Sequence, residues 1–194
     1  MSEPGEMTAP ALPKHEFLAG RIALDFCNSL SGGPHEGAVE RIGTPRHFAE
    51  WARRRDLVLE HVPNTSVLHR LHRLRRALYE MVDALSEGRA PAGADLKLFN
   101  AELAEARAAE QLVATSSGYE MADLSSSSLD RIRYLIVRDA ADLLTGDSRR
   151  VKHCANHDCR WLFYDVSKNF SRRWCAMDDC GTKDKVRRFR QRAG

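Results

Sequence analysis

The sequence predicts a protein in two parts: a mainly α-helical N-terminal domain with a small β element, and a short cysteine-rich C-terminal module. Apolar residues recur at helical spacing through much of the first 148 residues. Four of the five cysteines lie after residue 149. Residues 149–194 carry 13 Lys or Arg against 5 Asp or Glu, whereas the preceding 148 residues carry 17 against 22. The two parts therefore differ in charge as well as in predicted structure.

The composition is that of an ordinary globular protein. Of the 194 residues, 43% are hydrophobic and 29% are charged, and the formal net charge is +3, which is unlike a disordered chain. No apolar run approaches the roughly 20 residues that a transmembrane helix needs. Residues 1–16 lack the basic and apolar regions of a secretory signal. We therefore expect a cytoplasmic protein without membrane contact, in which residues 1–16 form a flexible leader.

The helix signals begin after a loop. Residues 29–43 contain Gly32, Gly33 and Pro34 and are predicted to be a loop. Thr44-Pro45 then pairs an N-cap residue with proline at the first helical position, which indicates a helix start. The clearest helix runs from Ser66 to Gly88, because its leucines recur at three- and four-residue steps. These leucines are Leu71, Leu74, Leu78 and Leu85.

Two further helices and a small β element complete the N-terminal part. One helix is predicted from about Asp95 to Leu112. Its expected buried face is Leu96, Phe99 and Leu103. The other helix starts near Ser127, whose spacing to Asp130 resembles a capping box, and ends at Gly146. Between them, residues 111–124 contain a Ser-Ser-Gly sequence flanked by short mixed segments, which favours a turn or small hairpin.

The cysteines of the C-terminal part form two C-x4-C pairs separated by 15 residues. The first pair is Cys154 and Cys159, and the second is Cys175 and Cys180. In a reducing compartment, such clustering indicates metal binding more often than disulfides. Two short-loop thiolate pairs are the donor set of structural Zn²⁺, which takes four ligands in a tetrahedron. The sequence therefore predicts one structural zinc ion that stabilises a module with few large aliphatic residues.

Other uses of the same cysteines stay open at this point. His153 or His157 could replace one thiolate, giving a mixed site. Disulfides and an iron–sulfur cluster are the remaining alternatives. With four protein ligands the zinc ion has no open position for an activated water, and no nucleophile or acid/base pair emerges elsewhere. We therefore do not expect an enzyme. Oxidation of the thiolates, which would release the metal, is a further possibility.

The segments around the cysteines predict a treble-clef arrangement. Residues 160–164 have strand propensity, residues 165–169 follow as a turn, and residues 183–192 lack Gly and Pro and predict a helix. A cysteine knuckle, a hairpin and a helix that starts at the second pair together make a treble clef. Trp161, Phe163 and Trp174 are expected to form its small core rather than to stack on nucleic-acid bases.

These segments resemble a known family. Residues 161–165 (WLFYD), 167–175 (SKNFSRRWC), Met177 and Cys180-Gly181 are similar to the CGNR-type zinc fingers of bacterial regulators. Residues 20–30 (GRIALDFCNSL) resemble the opening signature of the ABATE domain that commonly precedes this finger. The resemblance implies a stress-responsive transcription regulator. Its ABATE-like domain would span residues 17–148 and bind a small molecule, and its treble-clef finger would span residues 149–194 and bind DNA.

The basic residues of the finger are the expected DNA contacts. They are Lys168, Arg172, Arg173, Lys183, Lys185, Arg187, Arg188 and Arg190. Such charge density on a small rigid module fits phosphate binding. RNA binding, a solvated basic face or a purely protein-facing role are the alternatives. Thr182-Lys183 replaces the Asn-Arg of the family motif, and Lys cannot repeat the bidentate fork of Arg, so this position is expected to bind backbone rather than guanine.

The resemblance also suggests ligand-binding residues in the larger part. Asp25 and Asn28 follow an apolar run and are the polar residues expected in a pocket for an unknown small molecule. On the residues alone, each could equally cap a helix or fix a loop. Cys27 is expected to be a small buried hydrophobe. The sequence predicts neither the ligand nor the oligomeric state.

Overall fold

The computed structural model describes residues 17–156 and 158–193, so the predicted leader and His157 lie outside the described residues. The helices are α1 (Ile22–Cys27), α2 (Pro45–Arg54), α3 (Thr65–Ser86), α4 (Gly93–Ala108), α5 (Ser128–Thr145) and α6 (Thr182–Ala193). The strands are β1 (Leu30–Ser31), β2 (Val39–Glu40), β3 (Glu110–Thr115), β4 (Gly118–Asp123), β5 (Val151–His153) and β6 (Leu162–Tyr164). They form three antiparallel pairs, β1–β2, β3–β4 and β5–β6. The predicted fold class is confirmed.

The short helix α1 lies at the centre of the larger part, and all six of its residues are buried. It packs between α3 and α5. The Asp139 carboxylate of α5 accepts a hydrogen bond from the Ala23 backbone N–H (3.0 Å) and another from Arg21 Nε (2.7 Å). Because the first N–H groups of a helix have no intrahelical acceptor, Asp139 supplies the cap that the sequence around α1 lacks.

The capping residues and the leucine pattern that predict helices in the sequence lie in α2, α3 and α5 of the structure. Thr44 Oγ1 caps α2 by accepting from the His47 N–H, and the predicted leucines Leu71, Leu74 and Leu78 of α3 are buried. At α5, Ser127 Oγ accepts from the Asp130 N–H at 3.1 Å and donates to the Asp130 carboxylate at 2.8 Å. This reciprocal pair is the expected cap.

Helix α4 differs from its prediction in both length and orientation. It ends at Ala108 rather than near Leu112, because β3 begins at Glu110. Of the predicted face, Phe99 is buried but Leu96 is 41% exposed. The buried face also includes Glu102, which pairs with Arg133 of α5 and, at 2.7 Å, with Arg70 of α3. The guanidinium groups of Arg70 and Arg133 therefore stabilise the buried Glu102 carboxylate at a position where the helical periodicity of the sequence predicts an apolar residue.

The β5–β6 hairpin joins the two parts of the protein. Val151 and Leu162 are buried in the large core formed by α1 to α5. The neighbouring residues Trp161 and Phe163 pack instead with the cysteines in a second, small core. Side chains alternate between the two faces of a strand, so β6 belongs to both cores at once.

No helix within residues 17–156 and 158–193 is both long and apolar enough to cross a bilayer.

Candidate metal centre and basic helix

The four cysteines of the C-terminal part converge on one point. Cys154 follows β5 and Cys159 lies just before β6, so the first pair sits in the loop of this hairpin. Cys175 ends the long loop after β6, and Cys180 lies in a single π-helical turn, Met177–Gly181, that leads directly into α6. All four sulfur atoms lie within 4.8 Å of one another.

This arrangement fits a tetrahedral zinc ion. Zn–S bonds of about 2.3 Å place tetrahedral sulfurs about 3.8 Å apart, and the Cys175 Sγ lies 3.6 Å from both Cys159 Sγ and Cys180 Sγ. Hydrogen bonds from Cys159 and Cys175 lower the pKa of Cys154, whereas the bond with Cys154 raises the pKa of Cys159 to about 12. The cluster thus cannot carry four thiolate charges without a cation to balance them.

Two N–H donors orient the sulfurs. The buried Asn156 donates from Nδ2 to Cys180 Sγ at 3.4 Å, and the Cys175 backbone N–H donates to Cys154 Sγ at the same distance. Such donors stabilise thiolates and fix the ligand geometry around a metal. The cysteine spacing does not point to Asn156, which sequence reasoning missed.

Asp165 organises the loop between the two cysteine pairs. It is fully buried and accepts hydrogen bonds from Lys152 Nζ (2.7 Å), the Ser167 N–H (2.9 Å) and the Arg172 N–H (3.1 Å). Burial alone would raise its pKa, but the hydrogen bonds from Lys152 and Ser167 outweigh burial and hold the pKa well below its ordinary value. The charged carboxylate therefore fixes the path of the chain from β6 towards Cys175.

Arg172, one of the predicted DNA contacts, has several partners within the protein. Its guanidinium lies 4.5 Å above the centroid of the Phe163 ring. It donates hydrogen bonds to the carbonyl oxygens of Leu18 (2.7 Å), Tyr164 (3.3 Å), Trp174 (3.1 Å) and Cys175 (2.6 Å). A guanidinium with this many internal acceptors is a structural clamp, so Arg172 joins the finger to the N-terminal part, and its contact with DNA stays a prediction.

The other predicted basic residues are exposed at the surface of the finger. Lys168, Arg173, Lys183, Lys185, Arg187, Arg188 and Arg190 are all exposed. Lys183 pairs with Asp179 at 2.8 Å, and the buried Asp184 pairs with both Arg187 and Arg188. Within the residues that the structure describes, Lys185 and Arg190 have no acidic partner. Their role in DNA binding stays a prediction.

Comparison with known families identifies the chain. Residues 20–147 match the model of the ABATE family, described as "Putative stress-induced transcription regulator". The chain belongs to the ABATE family. Residues 150–193 match the CGNR zinc finger model, which together with the sulfur geometry confirms the prediction of one zinc site. A search of curated proteins found no significant match.

Asn28 connects the ABATE region to the CGNR finger. Its Nδ2 donates to the Leu162 carbonyl (2.8 Å), and its Oδ1 accepts from the Leu162 N–H (3.0 Å), so the side chain pairs with β6 as a neighbouring strand would. Its polar groups are therefore hydrogen-bonded within the protein, and its expected place in a ligand pocket stays a prediction. Asp25 is also buried, and it accepts from the Ala19 N–H and lies 3.3 Å from Arg55.

Further contacts join the two regions around this point. The Tyr164 N–H donates to the Ala19 carbonyl at 2.7 Å, and Trp161 Nε1 donates to Ser31 Oγ at 2.9 Å. Beside them lies a cavity of about 630 Å³. Its lining includes Ser31 and Arg41 from the ABATE region and Trp161, Lys183 and Arg187 from the finger, together with Cys159, Cys175 and Cys180, so the zinc ion would take part of this volume. A molecule bound there would contact both regions.

Proposed function

We propose that the protein is a ligand-responsive transcription regulator that binds duplex DNA through its CGNR finger. The supporting observation is the exposure of α6. Every residue from Lys185 to Gln191 is exposed, and within the first ten residues of the helix only Asp184 is buried. The helix carries six Lys or Arg against one Asp. A helix that is held at one end and otherwise unpacked has the shape and charge to enter a major groove.

The helix start is the fixed end. Cys180 anchors the turn before α6 to the metal, and Asp184 ties Arg187 and Arg188 to the first turn. An acidic residue is favourable there because the N-terminus of a helix carries partial positive charge. Lys185 and Arg190, which have no acidic partner among the described residues, are the side chains most readily offered to phosphates.

The ligand response is proposed to act through the junction between the two regions. The Asn28–Leu162 pairing and the cavity beside Trp161 lie on the path from the ABATE core to the finger. A small molecule in the part of this cavity that the zinc ion leaves free, next to Ser31, Arg41 and Trp161, would lie beside Lys183 and Arg187 and so would change which side chains of α6 can bind DNA. We further propose that the protein is not an enzyme, since the four cysteines would leave the zinc ion no open position.

A second candidate function is a zinc-stabilised protein-interaction module without direct nucleic-acid binding. Phe189 favours it, because this large aromatic side chain of α6 is 74% exposed. An exposed aromatic residue among cations also suits a protein partner. A DNA titration separates the two functions, because phosphate binding depends steeply on salt and apolar contact does not.

The test is a fluorescence anisotropy titration of the zinc-loaded full chain with a generic duplex at about 50 and 200 mM salt. We expect affinity to fall steeply with salt, and Lys185→Glu with Arg190→Glu to weaken binding at least about tenfold. The control Arg73→Glu with Lys97→Glu makes the same charge change at exposed sites on α3 and α4 and is expected to have little effect. Salt-independent binding, or equal loss in both variants, would contradict the proposal.

Asn28→Ala tests the coupling of the two regions in the same titration. We expect it to change the DNA affinity severalfold while the zinc content stays at one ion per chain. DNA affinity identical to that of the wild type would contradict coupling through this junction and would leave DNA binding by α6 intact.

A further inference from the structure

The β3–β4 hairpin carries an apolar face that nothing in the described chain covers. Leu112 lies opposite Met121, and Ala114 lies opposite Tyr119, so the four side chains share one face. Leu112 is 66% exposed, Met121 61% and Tyr119 77%. Monomeric proteins rarely present so many large apolar side chains side by side, and such patches mark interaction sites.

The base of the hairpin is held firmly to the body of the ABATE region. Arg138 of α5 pairs with Asp123 at 2.7 Å and with Glu110 at 3.2 Å, and these two acidic residues lie opposite each other in the ladder. Arg138 also donates to the Ala106 carbonyl at the end of α4. The apolar face is therefore presented in a fixed orientation beyond the helices, which lowers the entropy cost of binding a partner.

The charge pattern of the hairpin suits an identical partner. The face formed by Leu112, Ala114, Tyr119 and Met121 continues at the base of the hairpin into Glu110 and Asp123, which both pair with Arg138, and Glu120 points to the opposite face. Two copies of this face can therefore meet without opposing like charges. A partner of marked positive or negative charge would find no complementary group on it.

The strand edges add a second reason. Within the residues that the structure describes, β3 and β4 pair only with each other, so the outer edge of each strand is open. Charged residues and proline usually keep an edge strand from pairing with another chain. Residues 111–115 of β3 contain neither. A two-stranded hairpin is also marginally stable by itself and gains from a further partner.

The area of the patch is sufficient for a dimer. Covering the exposed parts of Leu112, Tyr119 and Met121, with Ala114 between them, removes on the order of 450 Å² per copy, or about 900 Å² in total. That is near the lower bound of specific protein–protein interfaces. We infer that the protein forms a twofold dimer in which the apolar faces of two β3–β4 hairpins pack against each other.

Sedimentation velocity of the zinc-loaded full chain between about 1 and 100 μM tests the dimer, a range that brackets the micromolar affinity such an area can give. We expect a species of twice the 21.9 kDa chain mass in the wild type. The variant Leu112→Glu with Tyr119→Glu is expected to sediment as one chain with unchanged far-UV circular dichroism and zinc content. Val58→Glu with Val62→Glu is the matched control, because these valines are 75% and 56% exposed outside the hairpin, and it should stay dimeric.

Two results would overturn the inference. A wild type with the mass of one chain at 100 μM would contradict a dimer, and a double variant that stays dimeric would place the interface elsewhere. Should the double variant misfold, Met121→Lys alone is expected to weaken the dimer at least about tenfold in Kd, because a charge would be buried in the interface. The test needs no DNA and is independent of the proposed function.

Discussion

The two cores of the protein are built by different physical means. The ABATE core is made of apolar side chains from α1, α2, α3, α4 and α5 around Trp51 and Phe26. Among the residues that the structure describes, the core of the finger consists of Trp161, Phe163 and the cysteines, with Trp174 partly buried beside them. Hydrophobic burial can stabilise the first, whereas the second is too small to fold without a metal.

The difference shows how a metal-dependent module can be joined to a metal-independent one. Strand β6 places Leu162 in the large core and Phe163 in the small one. The junction is therefore a shared strand, reinforced by Asn28 and by the Arg172 clamp. After metal loss, we expect the face of the β5–β6 hairpin that carries Leu162 to stay packed in the ABATE core, and the face that carries Phe163 to lose its packing.

Removal of zinc is expected to have the largest effect. Structural zinc contributes about 10–16 kcal/mol in small fingers, so a chelator should unfold residues 165–193 while α1 to α5 persist. Hydrogen exchange followed by mass spectrometry measures this region by region. Loss of protection in α3 and α5 as well would show that the two cores are not separable.

Truncation of the two adjacent residues of β6 sharpens the comparison. Leu162→Ala is expected to lower the unfolding free energy of the ABATE core by about 2–5 kcal/mol, and Phe163→Ala to destabilise the finger by about 3–5 kcal/mol. Denaturation followed separately by helix content and by zinc release distinguishes them. If both variants affected both probes equally, the alternation of β6 between cores would be wrong.

Asp165→Asn is expected to have a smaller effect that depends on pH. The variant should destabilise the finger by about 1–3 kcal/mol at pH 7, because Lys152 loses its charged partner. The pKa of Asp165 is lowered in the folded state, so its contribution is complete above the unfolded pKa of about 3.9 and is lost as the pH falls towards the folded pKa.

The difference between wild type and Asp165→Asn should therefore be the same at pH 7 and 5.5 and begin to shrink near pH 4. Chemical denaturation at pH 7, 5.5 and 4 measures it, and Asp147→Asn is the control because Asp147 forms its ion pair at the surface. A difference that grows on acidification would contradict the assigned sign.

The sequence predicted the features that depend on local spacing. The leucine stripe of α3, the Ser127 cap of α5 and the two cysteine pairs each follow from residues within one element or one short loop. Such signals need no knowledge of the tertiary structure.

The features it missed depend on distant partners. Burial of Glu102 requires Arg70 and Arg133 from other helices. The clamp role of Arg172 requires the Leu18 carbonyl, 154 residues away in the chain. Asn28 has a polar side chain whose partner, the Leu162 backbone, has no signature in the sequence. The sequence therefore predicts which kind of interaction a basic or polar side chain can make, but not which distant residue is its partner.

The zinc content of full-length protein purified without added metal tests the central claim most directly. We expect one zinc ion per chain, its loss in Cys180→Ser, and its retention in Cys27→Ser, since Cys27 lies buried in the ABATE core with its pKa raised to about 12. Folded wild-type protein without bound metal, or equal zinc content in both variants, would contradict a finger held together by these four cysteines.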